Sequence, residues 1–150
     1  MRYVLYETKD KNQSLKKELR FIQNYLDLEQ MRYNENFELE FTVKGNPKGH
    51  KIGPLLLVQF IENAFKHGAN KNIGKVKISI QICIEEKFLY FQARNTKPMD
   101  NSPETSKKPG GIGLTNVEKR LKLRYAEDEY RLSIHDESDE YVVNLMLTLR

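Results

Sequence analysis

The chain reads as a succession of two hydrophobic periods, one helical and one of strands. In SLKKELRFIQNYLDLEQMRY, Leu15, Leu19, Ile22 and Leu26 recur at 4-3-4 spacing, which predicts an amphipathic helix. Phe21, Tyr25 and Leu28 add a second apolar stripe, so this helix has more than one neighbour. Partners outside the chain and packing on the local core are both open at this point. After a turn at Asn34–Asn36, FELEFTV alternates Phe37, Leu39, Phe41 and Val43 with polar residues, the mark of a half-buried strand. GNPKGHKIGP is a loop, and Pro54 suits the first turn of a helix reaching to about Gly68. VKISIQICIEE and FLYFQA read as strands joined tightly through Glu85–Lys87. Periodicity vanishes from Thr96 to Gly111, a stretch holding Pro98, Pro103 and Pro109. Loops this long in compact domains are usually functional. Leu114, Val117, Leu121 and Tyr125 mark another helix, and YRLSIHDE and YVVNLMLTL close the chain as a hairpin around Ser138 and Asp139.

Helices and strands mix without regular βαβ alternation. The expected fold class is α+β, a two-layer α/β sandwich with helices on one face of a mixed, largely antiparallel sheet, preceded by the long N-terminal helix. Its division is a helical region at 1–34 and a domain at 35–150, with a lid at 96–113.

The helix LLLVQFIENAFKHG carries the most chemistry. Leu57, Ile61, Ala64, Phe65 and Gly68 share one face, while Gln59, Glu62, Asn63, Lys66 and His67 gather opposite. Asparagine is a poor mid-helix residue, and Gln59, Asn63 and His67 stand at successive i+4 steps. That row offers amide oxygens to a cation and an imidazole to a planar ligand. In GGIGLTNV, Gly110, Gly111 and Gly113 sit where a loop enters a helix. Such glycines allow close approach of an anion, and the helix N-terminus supplies free N–H groups.

In this order, the two segments resemble the N box and last glycine box of the GHKL ATPases, the Bergerat-fold group that includes gyrase, MutL and the histidine kinases. "ENAFKHG", "GGIGLTNVEKRL" and the leading "SLKKELRFIQNYLDLEQMRY" look like the LytS-type sensor histidine kinases, from roughly Leu15 to the C-terminus. The resemblance implies ATP and Mg²⁺ as ligands, with Asn63 holding the metal and Gln59 one turn earlier. It implies that Glu62 aids the attacking imidazole, that Lys66 reaches the phosphates and that His67 lies near the base or ribose. Gly111, Gly113 and Leu114 would form the lid backbone around the phosphates, with Asn116 and Arg120 behind them. The Asp-X-Gly-X-Gly box that binds adenine in many relatives is replaced by QARNTKP. Strand phase is expected to put Arg94 at the aspartate position and Asn95, a possible adenine acceptor, just after it.

The implied activity is transfer of the ATP γ-phosphoryl to a histidine on a helix preceding Met1, in a parent protein that dimerises through that helix and serves a response regulator. A degenerate GHKL nucleotide-binding or protein-interaction module without kinase activity is the alternative. His50 and His135, on a loop and a late strand, lack the neighbourhood of a phosphoacceptor.

Composition narrows the rest. Across 150 residues, 39% are hydrophobic and 31% charged, which fits one folded domain. The net charge is +4. Its densest stretch, Lys119, Arg120, Lys122 and Arg124, has no interleaved aromatics, so nucleic acid is not an expected partner. Cys83 is alone, which excludes an internal disulfide and suits a reducing, cytoplasmic setting. The longest apolar run, Leu55–Val58, is far too short to span a bilayer, and Met1–Gln13 holds no apolar block of a signal peptide. The resemblance nevertheless implies a parent embedded in the inner membrane.

Overall fold

A computed structural model describes residues 12–32, 37–67, 76–96 and 111–150, with backbone alone for 67 and 111–115. Helix α1 spans Leu15–Arg32, with the Ser14 hydroxyl capping it through the Lys17 amide at 3.1 Å. Its buried side is Leu15, Glu18, Ile22, Leu26 and Glu29, a 3-4-4-3 stripe that includes two carboxylates. The first apolar stripe therefore packs on the local core. Of the second, Phe21 and Leu28 are exposed, and Tyr25 meets the Phe65 ring edge-on at 5.8 Å.

Short strands β1 (Gln13–Ser14) and β3 (Lys51–Ile52) pair antiparallel beside it. The main sheet contains β2 (Phe37–Lys44), β4 (Val76–Glu85), β5 (Phe88–Thr96), β6 (Tyr130–Asp136) and β7 (Glu140–Thr148), in the order β2-β4-β5-β7-β6. Only the β2–β4 pair is parallel. Alternation builds the core face. Ile80, Ala93 and Val143 form one cross-strand row, and Ile82, Phe91 and Leu145 the next. A side chain on Gly45 would meet the Ile84 carbonyl at 2.2 Å, so the turn after β2 needs glycine there.

Helix α2 (Leu56–His67) lies on this face, with Phe60 against Phe91 at 5.9 Å. Helices α1 and α3 (Gly111–Arg124) flank it. This is the expected two-layer sandwich with a mostly antiparallel sheet. Two boundaries differ. Strand β5 continues through Thr96 because Asn95 and Thr96 pair with Tyr141 and Glu140. Helix α3 begins at Gly111, so Gly111 and Gly113 belong to its first turn rather than to a loop. The rest of the proposed lid, 97–110, lies outside the described residues.

Candidate functional site

The polar row of α2 was expected to offer amide oxygens to a cation, and Asn63 in that row is buried. With the sheet below and α1 and α3 beside it, α2 is covered on most sides, and Asn63 is only 5% exposed. Its Nδ2 donates a long hydrogen bond of 3.5 Å to the hydroxyl of Tyr141, itself buried at the start of β7. Burial pushes the Tyr141 phenol up, and the Asn63 contact opposes that shift. Tyr141 was not singled out in the sequence, where a tyrosine at a core phase reads as packing alone.

Tyr141 is also the cross-strand partner of Asn95. Leu89, Phe91, Ala93 and Asn95 alternate inward, so Asn95 takes the core-facing position and is fully buried. Arg94 does not. It points to the other face, where its Nε lies 3.7 Å from Glu140. With a side-chain period of two, Asn95 and not Arg94 shares the core-facing phase of Leu89, Phe91 and Ala93. The Asn95 amide donates to the Thr96 carbonyl at 3.2 Å, while its Oδ1 accepts nothing among the described residues. Gln59 Oε1 is likewise buried without a donor.

A buried acceptor left unpaired costs about 1–3 kcal/mol, so such atoms call for a ligand to satisfy them. Asn95 Oδ1 fits an exocyclic amino group. Gln59 Oε1 fits a donor such as metal-bound water, and the neighbouring Asn63 carboxamide is a hard oxygen ligand suited to Mg²⁺. Among the described residues no cluster of three His, Cys, Asp or Glu could hold a metal. Such a cation would therefore draw much of its charge compensation from bound phosphates.

Glu62 is half-buried, and its pKa is raised by burial above all. Lys66 lowers it and Glu29 of α1 raises it further. A carboxylate so shifted is a better proton acceptor near neutrality. Lys66 is exposed at the end of α2 and free to reach a polyanion, and His67 closes the helix with its side chain outside the described residues. Gly111, Gly113 and Leu114 form the first turn of α3, whose N-terminal amides suit an anion. Asn116 is exposed on the next turn, and Arg120 turns away to bond the Pro54 carbonyl. Asn63, Asn95, Tyr141 and Gln59 thus occupy the interlayer side. A cavity on the opposite sheet face, bounded by Thr42, Gln81, Tyr90, Arg131 and Met146, contains none of them.

Comparison with known proteins finds similarity to sensor histidine kinases. A family profile described as "Histidine kinase" matches residues 1–37. The chain is 32% identical over 136 residues to the sensor histidine kinase YpdA of Escherichia coli, covering 84% of this chain and 24% of that protein. It is 28% identical over 116 residues to the sensor protein LytS of Bacillus subtilis, covering 71% of this chain and 20% of that one. It therefore spans about a quarter or less of these relatives. Among solved structures, the catalytic domain of the histidine kinase ThkA superposes with a TM-score of 0.60 at 13% identity, covering 92% of this chain and 94% of that one. ThkA in complex with the response regulator protein TrrA gives 0.53 at 14% identity, covering 98% of this chain and 45% of that one. The chain shares the fold of the histidine kinase catalytic domains. Its sequence is similar to that of the LytS-type sensor histidine kinases.

Proposed function

We propose that this domain binds Mg-ATP between α2 and the end of β5 and delivers the γ-phosphoryl group to a histidine of its parent sensor kinase. The observation that carries this reading is the burial of Asn63 against the Tyr141 hydroxyl, with Asn95 as the cross-strand neighbour of Tyr141 and unpaired acceptors on Asn95 and Gln59. Asn63 would hold Mg²⁺, which neutralises charge on the phosphates when bound. Asn95 would accept from the adenine amino group. Lys66 and the first turn of α3, at Gly111, Gly113 and Leu114, would bind the phosphate chain, with His67 and Asn116 at its margins. Glu62 would take the proton of the attacking imidazole. Phosphoryl transfer rests mainly on such positioning and charge compensation.

The acceptor is a histidine other than those described outside α2. The His50 carbonyl is bonded to the Leu15 amide, and the exposed His135 ring, on edge strand β6, lies 2.9 Å from the Ser133 hydroxyl. By its likeness to sensor kinases, the parent dimerises through the helix carrying that histidine, serves a response regulator and works at the cytoplasmic side of a membrane. Among the described residues no helix is long and apolar enough to cross one. The alternative is a degenerate module without kinase activity; Arg94, where an aspartate was expected to be missing, is paired with Glu140. Calorimetric titration with ATP, with and without Mg²⁺, tests the proposal. Tight binding that requires the metal supports it, and no binding in either condition contradicts it.

A further inference from the structure

Glu18 is fully buried on α1, one turn after its start. Its two oxygens accept from the backbone amides of Leu55 at 2.9 Å and Leu57 at 3.1 Å, and Gln13 Nε2 donates to one of them. These amides belong to the opening of α2, whose first N–H groups have no partner within the helix. The carboxylate of one helix therefore caps another, 37 residues away along the chain. Burial raises the Glu18 pKa, and the hydrogen bonds from Leu55, Gln13 and Leu57 oppose that shift. The turn it holds is unusual, since Leu55 adopts φ +57°, a left-handed conformation that a leucine rarely takes unless its surroundings impose it. Helix α3 grips the same turn from the other side. Arg120 donates to the Pro54 carbonyl, and the buried Tyr125 hydroxyl accepts from the Gly53 amide at 3.0 Å.

We infer that Glu18 is a positioning residue of the nucleotide site. By fixing the first turn of α2 against α1, it sets where Asn63, two turns along the same helix, meets Tyr141 and a bound cation. The role rests on the proposed Mg-ATP function, but the placement of Asn63 can be observed without nucleotide. It also gives α1, the helix within the segment matched by the histidine kinase profile, a direct mechanical hold on the metal-binding residue.

The test uses the whole chain, isotopically labelled, in wild-type form and as Glu18→Gln, Gln13→Ala and Ile84→Val. The last trims the core at the end of the sheet remote from Asn95. Two quantities are read well below the melting temperature: the Asn63 side-chain amide resonances without nucleotide, and the Kd for Mg-ATP. Glu18→Gln is expected to shift the Asn63 resonances and weaken Mg-ATP by about tenfold, the lower end of losses seen when support behind a metal ligand is removed. Gln13→Ala should move both in the same direction by less, and it decides the matter if Glu18→Gln fails to fold. Ile84→Val should lower stability and move neither. Unshifted Asn63 resonances in both Glu18→Gln and Gln13→Ala would overturn the inference and leave Glu18 a cap that only stabilises the fold. Should the wild type bind no nucleotide, the function proposal falls, and the Asn63 resonances still decide this one.

Discussion

The Asn63 amide reaches the Tyr141 hydroxyl at 3.5 Å, joining the middle of α2 to the first residues of β7 beneath it. This contact makes the asparagine part of the interlayer core while leaving its oxygen for a ligand. Tyr141 is also the cross-strand neighbour of Asn95, so both buried amides lie on the same side of the sheet.

Tyr141→Phe keeps the ring and removes the hydroxyl, leaving a buried amide without its acceptor. A stability loss of about 1–2 kcal/mol should follow, read from urea denaturation midpoints. Mg-ATP affinity should fall with it, since Asn63 loses its orienting partner. Unchanged stability and affinity together would show that the long hydrogen bond contributes nothing.

Asn95→Ala should erode the preference for adenine rather than nucleotide binding in general. Loss of one buried hydrogen bond of about 1–1.5 kcal/mol corresponds to roughly tenfold in affinity. Competition of ATP against GTP measures it: the ratio of their affinities should shrink in the variant. If ATP and GTP weaken equally, Asn95 does not read the base.

How far the sequence foretold this site depended on parity and on neighbours. The row Gln59, Asn63 and His67 was visible because an asparagine in mid-helix conflicts with local propensity. Its burial was not, since the layers covering α2 come from distant segments. Asn95 was named as an adenine acceptor, and its burial follows from phase, since Leu89, Phe91 and Ala93 fix odd-numbered residues on the core side. Tyr141 gave no separate signal, because an aromatic at a strand's inward phase reads as core. Glu18 and Glu29 were hidden for the opposite reason: carboxylates on an apolar stripe look like interruptions. The 3-4-4-3 spacing from Leu15 through Glu29 was the clue to their burial. Gly111 and Gly113 suggested a loop because glycine weakens helices, whereas in a first turn that cost falls on residues without full helical hydrogen bonding.

The pH dependence of stability should carry a signature of Glu62. Burial raises its pKa in the folded state above the ordinary value of 4.5, so the folded protein holds this proton more tightly than the unfolded chain. The stability this confers is full below pH 4.5 and is lost as pH rises through the raised folded value. Glu62→Gln removes that loss. The melting temperature of the variant should therefore gain on wild type as pH rises from 4.5 toward 8. A difference independent of pH would show that Glu62 titrates like an exposed carboxylate.

Incubated with γ-labelled ATP, the chain should acquire no acid-labile label on His50 or His135. His50 sits on a loop and His135 on the exposed edge strand β6, whereas in-line transfer needs an acceptor nitrogen held close to the γ-phosphorus. Acid-labile label that disappears in His50→Ala or His135→Ala would place the acceptor within these residues.

The central claim is that Asn63 holds the metal of a bound nucleotide. Titrating wild type and Asn63→Ala with ATP, in magnesium and in excess chelator, measures it most directly, with circular dichroism confirming that the variant is folded. Wild-type affinity should rise sharply with Mg²⁺, and Asn63→Ala should bind weakly and equally in both conditions. Equal affinities and an equal magnesium response in the two proteins would contradict it.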